Sequence, residues 1–331
     1  MKFLPDQVVA RLHTEMRLPD LSGTRYRVAR FIGQGGMGAV WLAEDTILQR
    51  NIALKILSVE GSSADLAARL MREAVVLAGL EHPGIVPVHD AGTLPDGRAF
   101  YCMKYVQGQT LDRHIAGMEL RRRLQLLQRI AEPLAFAHSR GIIHRDLKPG
   151  NIMVGSFGEV LILDWGLAKI TGVASTAVTE NAGTENAGSQ LPSVDAVTAH
   201  GAVLGTPGFM APEQARGDVA RIDQRTDVYG LGAIMSFMLR DQAEAGRHKL
   251  ASRPLQAIYG KAMAAEMSAR YSSVQEMAAD IARNLEGLPI EAYRENVLER
   301  TLRVVNRNRV AVVLVLAYLF MRILFVVFSR H

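Results

Sequence analysis

Cysteine is nearly missing from this chain. Cys102 is the only one among 331 residues, which excludes a disulfide scaffold and a cysteine-based zinc site and favours a reducing compartment such as the cytosol. Lysine is scarce as well, at 7 of the 38 basic residues, so a lysine at any one chosen position is improbable by chance. Neither sign of charge dominates. The balance of 38 Lys+Arg against 33 Asp+Glu leaves +5, too small an excess to argue nucleic-acid binding. The opening stretch MKFLPDQVVARLHTEMRLPD lacks a sustained apolar run, being broken by Pro5, Asp6 and Arg11, so no secretory signal is expected. With 49% apolar and 21% charged residues the chain is neither disordered in bulk nor fibrous, and its length allows one large domain or two ordinary ones.

One long apolar run is present, near the other end. Residues 310–328 read VAVVLVLAYLFMRILFVVF, 19 residues with Arg322 as the single charge. At about 1.5 Å per residue, a helix of that length matches the ~30 Å hydrocarbon core of a bilayer. Arg322 lies toward the far end, where a long side chain can snorkel. Arg300, Arg303, Arg307 and Arg309 precede the run and place that side in the cytoplasm. A single-pass transmembrane helix is therefore expected over 310–328, after a basic juxtamembrane segment over 287–309, with Ser329–His331 outside. The alternative is a buried C-terminal core helix.

Two stretches interrupt the remainder. Residues 171–205 contain no aromatic residue and carry the tandem repeat TENAG TENAG at 179–188, a loop too polar to pack. Residues 240–254, RDQAEAGRHKLASRP, read as a polar connector. Over 26–106 short apolar runs (YRVARFI, AVWLAE, IALKIL, GIVPVHD, AFYCMKYV) imply strands, with one helix at about 64–80. From 110 onward helical patterns dominate, at 119–140, 212–217, 225–239, 255–266 and 272–286. The order is a strand-rich lobe followed by a helix-rich lobe.

Four groups of residues carry chemistry. Gly33-x-Gly35-x-x-Gly38-x-Val40 lies between two strand-like runs, where glycines let backbone approach phosphates. A strand-like AVWLAE follows instead of a helix, which excludes a dinucleotide fold. Lys55 is centred in the apolar run IALKIL and needs a partner or a ligand, and Glu73 in the following helix is a candidate. The open alternative is a snorkelling lysine and an unrelated surface glutamate. His144-Arg-Asp-Leu-Lys-Pro-Gly-Asn151 puts a carboxylate, an ammonium and an amide within six residues, a set suited to phosphoryl transfer. Asp164, after the apolar Leu161-Ile-Leu and before Trp165-Gly166, is placed to hold Mg²⁺ at a loop mouth.

Together these residues resemble the protein kinases. The Gly-rich loop, Ala53-Leu-Lys55, His144 to Asn151, Asp164-Trp-Gly166 and Ala211-Pro-Glu213 occur in the family's order over about residues 26–286. The wording GQGGMGAVWLAED, HRDLKPGN and GTPGFMAPEQA is similar to the bacterial, eukaryotic-like (Hanks-type) serine/threonine kinases, with Lys148 and Thr206 in the Ser/Thr form. The resemblance implies an α+β, two-lobed fold, with a small β-rich lobe over 26–106 and a larger helical lobe over 107–286, after an extension over 1–25. It implies ATP with Mg²⁺ (or Mn²⁺) as cofactors, and transfer of the γ-phosphoryl group to Ser or Thr hydroxyls of protein substrates. Self-association for autophosphorylation, and a kinase domain held at the cell membrane on its cytoplasmic side, complete the expectation.

Residue by residue, the resemblance makes Asp146 the catalytic base and Lys148 the γ-phosphate contact. Asn151 and Asp164 become the metal ligands. Ile32, Gly33, Gly35, Gly38, Val40, Ala53, Lys55, Glu73, Met103 and Val106 become the nucleotide site, with Met103 as gatekeeper and Lys104 to Val106 as hinge. Leu77, Val88, His144 and Trp165 fall where the family stacks its regulatory spine, and Asp227 is a structural residue of the large lobe. Glu213 and Arg270 match an ion pair tying the activation segment to that lobe. Arg145 is the residue that a phosphate on Thr198 would meet. Four departures stand out: Trp165 for the usual Phe, Lys104 for an acidic hinge residue, 49 residues from Asp164 to Glu213, and only 43 from Asp227 to Arg270. The last reduces the expected substrate-docking stretch to the 240–254 connector. Rival readings are a membrane-tethered pseudokinase or nucleotide-binding scaffold, and a small-molecule phosphotransferase, whose mark would be loss of the Gly-Thr-Pro…Ala-Pro-Glu segment.

Overall fold

The structure, a computed structural model, describes residues 18–34, 38–57, 64–165, 169–170, 208–244, 252–296, 300–301 and 309–328. In the first lobe, strands β1 (Tyr26–Gln34), β2 (Gly38–Asp45), β3 (Arg50–Leu57), β4 (Val88–Thr93) and β5 (Ala99–Lys104) form one antiparallel sheet in the order β1-β2-β3-β5-β4. The central strands β3 and β5 are nearly all apolar because both of their faces are buried. Ile52, Leu54, Ile56, Phe100 and Cys102 join Tyr26 and Trp41 in one core. Ala53, Leu57, Tyr101 and Met103 face the larger core that runs through both lobes. That split follows directly from the two-residue period of a strand.

Helix α1 (Ala64–Ala78) packs on the second face through Leu70, Ala74 and Leu77. Their spacing of three and four residues makes one stripe. The run GIVPVHD enters the sheet only from Val88. Pro87 has no N–H for the ladder, and Ile85 instead makes an isolated parallel bridge to Ile162 in the other lobe.

The second lobe is built on α2 (Leu120–Ser139), α3 (Gln224–Glu244), α4 (Arg253–Ala262) and α5 (Val274–Leu285). Along α2, Leu124, Leu127, Ile130, Ala131, Leu134 and Ala137 form the buried stripe. Helices α3 and α4 approach closely at Gly232, where an added Cβ would lie 2.6 Å from the Ala262 Cβ. Short strands β6 (Gly108–Thr110), β8 (Ile152–Gly155) and β9 (Val160–Ile162) make a three-stranded antiparallel sheet, and β7 (Ile142–Ile143) pairs with β10 (Lys169–Ile170). The 240–254 connector is shorter than its composition implied, because α3 continues to Glu244 and α4 starts at Arg253. Arg, Gln, Ala and Glu are good helix formers, and polarity alone does not end a helix.

Packing also continues past residue 286. Asp280, fully buried on α5, accepts hydrogen bonds from the backbone N–H of Glu291 (2.9 Å) and Ala292 (3.0 Å), from the Tyr271 hydroxyl (2.9 Å) and from Arg283 (3.1 Å). Ile290 is buried in the main core, and Tyr293 packs against it. The folded lobe therefore includes residues to about 293, not 286. The last helix, α6, runs Arg309–Phe328. Its described side chains are those of residues 312–322 and Phe325. Among the described residues no helix is long and apolar enough to cross a membrane.

The Asp280 clamp generates a truncation test. A chain ending at Gly287 loses two donors to a buried carboxylate and the burial of Ile290, together about 3 kcal/mol or more. Urea melts should find it less stable, by at least that amount, than a chain ending at Asn296.

Candidate active site

The sheet register sets one side of the site. Gly33 pairs with Val40, Val40 with Lys55 and Lys55 with Tyr101, so one row of residues crosses four strands on one face. Ala53 pairs with Met103 one step along. Val106 is buried beside them, and Ile32 stays half-exposed on β1. At Gly38 an added Cβ would lie 2.2 Å from the Ile56 carbonyl oxygen, so no side chain fits where β2 leaves the Gly-rich turn. Gly35 lies outside the described residues, as do Gly166, Thr198, Thr206 and the TENAG repeats.

Lys55 is neither solvated nor alone. Its Nζ donates to both carboxylate oxygens of Glu73 (2.9 and 3.0 Å) and to Asp164 Oδ1 (2.8 Å). The lysine and Glu73 side chains are 7% and 0% exposed. Burial works against the ammonium charge, but Tyr101, Asp164 and Glu73 around it outweigh burial and hold the Lys55 pKa above the ordinary lysine value. Burial likewise works against the Asp164 carboxylate. The charge and hydrogen bond of Lys55 prevail and hold it below the usual aspartate range. Both groups are ionised at neutral pH. The Tyr101 hydroxyl donates to Glu73 Oε1 at 2.9 Å.

The loop of residues 144–151 lies between β7 and β8. Asp146 Oδ2 accepts from Lys148 Nζ (2.7 Å) and from Asn151 Nδ2 (3.0 Å), and the same Asn151 nitrogen donates to the Asp146 carbonyl (2.8 Å). Asp146 Oδ1 and Asn151 Oδ1 have no side-chain or backbone partner among the described residues. Leu163 donates its N–H to the Asn151 carbonyl at 2.8 Å, which brings the strand carrying Asp164 beside the loop. His144 Nε2 lies 3.0 Å from the Leu163 carbonyl, while its Nδ1 accepts from the Asp146 N–H at 3.2 Å. These two bonds fix the orientation of the ring. The His144 and Trp165 rings sit 4.7 Å apart, and Trp165 and Leu77 share the buried core with Val88 at its margin.

Asp227, at the start of α3, holds this loop by its backbone. It accepts from the N–H of His144 (2.8 Å) and Arg145 (2.9 Å) and from His138 Nε2 (2.7 Å). Its burial favours the neutral form, yet the His138 bond and the nearby histidines and Arg145 amide keep its pKa depressed. Arg145 and Asp164 both adopt left-handed backbone angles, with φ of 69° and 59°. Non-glycine residues pay for that conformation unless neighbours hold it. At Arg145 the holders are Asp227 on the N–H and Gln214 Nε2 on the carbonyl (2.5 Å). Gln214 belongs to the turn Pro212–Ala215 together with Glu213. Glu213 meets Arg270 in a bidentate pair at 2.8 Å, with neither side chain exposed. Thr226 and three backbone carbonyls satisfy the remaining valences. Breaking so enclosed a pair costs about 3–5 kcal/mol.

The structure thus gathers Lys55, Glu73, Asp146, Lys148, Asn151 and Asp164 in one place, and joins Arg145, Glu213, Asp227 and Arg270 beneath them. Three residues with a part in this arrangement escaped the reading of the sequence: Tyr101, His138 and Gln214. Tyr101 becomes visible only once the β3–β5 register puts it opposite Lys55. Gln214 carried a faint signal as the third residue of a Pro-led turn, a capping position. His138 carried none.

A model of the protein kinase domain matches residues 26–320. The serine/threonine-protein kinase PknD of Chlamydia felis is 35% identical over 300 residues, covering 80% of this chain and 31% of that protein. PknD of Protochlamydia amoebophila is 33% identical over 301 residues, covering 79% and 30%. This chain spans about a third of the length of these relatives. Among solved structures, the kinase domain of Mycobacterium tuberculosis PknI is 25% identical, with a TM-score of 0.54, covering 78% of this chain and 96% of that one. A second structure of that domain gives 26% and 0.55. With its motifs in order and the match running over 26–320, the chain belongs to the protein kinase domain family, among the bacterial serine/threonine (Hanks-type) kinases.

Proposed function

We propose that this chain transfers the γ-phosphoryl group of ATP to serine or threonine hydroxyls of protein substrates, itself included, and does so at a membrane. The observation that carries the chemistry is the convergence of Lys55–Glu73–Asp164 with Asp146–Lys148–Asn151. Asp146 Oδ1, without a partner among the described residues, is the oxygen to accept the hydrogen bond of an acceptor hydroxyl, while Lys148 and Asn151 fix the other oxygen. The hydroxyl oxygen forms the new bond to the γ-phosphorus, the bond to the β,γ-bridging oxygen breaks, and the hydroxyl proton passes to Asp146. Lys148 beside Asp146 supplies positive charge for the transferring group. Lys55, held charged, serves the phosphates farther from the acceptor.

Asn151 Oδ1 and the half-exposed Asp164 carboxylate are hard oxygen donors of the kind Mg²⁺ takes. When bound there, the metal neutralises charge on the phosphates.

The membrane reading rests on the 310–328 sequence and on what its helix presents. Val313, Leu314, Leu316, Phe320 and Phe325 are 63%, 64%, 59%, 64% and 74% exposed. A continuous surface of that kind has no stable place in water. The arginines before it put the kinase domain on the cytoplasmic side.

Two measurements test these readings. Lys55→Met and Asp146→Asn should each lower autophosphorylation at least about a hundredfold in protein that keeps its circular dichroism spectrum, since both groups act on the transferring group. Radiolabel near the wild-type level in either variant sinks the assignment. The full chain should stay with the membrane pellet through an alkaline carbonate wash, and its release would show that 310–328 does not cross the bilayer.

A further inference from the structure

We propose that Tyr101 is a positioning residue that keeps Glu73, and with it α1, turned into the site while Lys55 is occupied with nucleotide. The inference rests on the kinase reading above. Tyr101 sits on β5, opposite Lys55 in the β3–β5 register, so both side chains rise from the same face of the sheet toward α1. Its neighbours Phe100 and Cys102 point to the opposite core. The tyrosine is 1% exposed, and its hydroxyl donates to Glu73 Oε1 at 2.9 Å. The Lys55 ammonium lies 5.5 Å from the centre of its ring.

An ammonium has three N–H donors. In this structure Lys55 makes three contacts, two to Glu73 and one to Asp164. To meet a phosphate it must release at least one of them. If the released bond is to Glu73, a fully buried carboxylate loses support at the moment the site fills. The Tyr101 hydroxyl is a donor on Glu73 that no phosphate draws away. It is fixed on the central sheet, and its ring cannot follow the nucleotide. Glu73 therefore stays inward whether or not Lys55 holds it, and α1 is already placed when nucleotide arrives.

Tyr101→Phe keeps the ring and its packing and removes only the hydroxyl. Without that donor, drawing Lys55 to the phosphates leaves buried Glu73 unsupported, so the nucleotide-bound state is destabilised and apparent affinity for ATP falls. Saturating ATP restores the competent form. The expected result is a KM for ATP raised about tenfold while kcat falls less than threefold. In a Glu73→Leu background, the same substitution should change KM less than twofold, since the hydroxyl then has no acceptor to hold. A KM unchanged in Tyr101→Phe, a loss confined to kcat, or a full KM effect persisting with Glu73→Leu each overturns the inference. Wild type and Asp146→Asn run alongside. If wild type transfers phosphate and Asp146→Asn does not, the kinase reading stands and the outcome bears on Tyr101 alone. Should Tyr101→Phe melt more than a few degrees lower, Tyr101→Trp, which fills the space with an N–H in another position, must also raise the KM.

Discussion

A carboxylate with almost no exposed surface, Asp227, sets the geometry on which the active site depends. Taking a charge out of water costs several kcal/mol, and it is tolerated only when donors surround it. Here the donors are two consecutive backbone amides of the catalytic loop and the ring of His138. Because the loop is gripped by main-chain atoms, the side chains of His144, Arg145 and Asp146 are left for other work. The depressed Asp227 pKa means that this grip stabilises the fold above the ordinary aspartate range and is lost as pH falls through the lowered value. The left-handed backbone at Arg145 is a direct result: its N–H turns to α3 while its carbonyl turns to Gln214 on the far side of the loop.

The two lobes meet through a second, different arrangement. Lys55 comes from β3, Glu73 from α1, Tyr101 from β5 and Asp164 from the end of β9. The 2.8 Å bond between Lys55 and Asp164 joins groups with separate proposed duties, one toward phosphate and one toward metal. The apolar layer behind them, with Leu77, Val88 and Trp165, spans the same boundary and keeps water from the rear of the ion cluster.

Much of this was legible in the sequence because its residues are rare or tightly spaced. A lysine inside IALKIL, a carboxylate, an ammonium and an amide within His144–Asn151, and a carboxylate ending an apolar strand each demand a physical explanation. The α1, α2 and α5 helices follow from stripes of apolar residues several turns long. What stayed hidden depends on register and closure. Strands of two to four residues, such as Ile142–Ile143, are too short for a period to show. Tyr101 is told apart from a core aromatic only by its partners across the sheet. The end of the folded lobe was misplaced because LEGLPIEAY has no helical stripe, and only the bonds of Asp280 to Glu291 and Ala292 show that it belongs to the core.

Those bonds have a geometric consequence. With the chain pinned at Ala292 and packed at Tyr293, residues 294–308 alone connect the folded domain to α6. Fifteen residues reach at most about 50 Å even when fully extended. On the membrane reading, the domain is a short-leashed catalyst whose active site samples a thin layer over the lipid surface and not the bulk cytoplasm. Any protein confined to that layer meets it at a high local concentration, and a freely diffusing one does not. Choice of substrate would then be made largely by address.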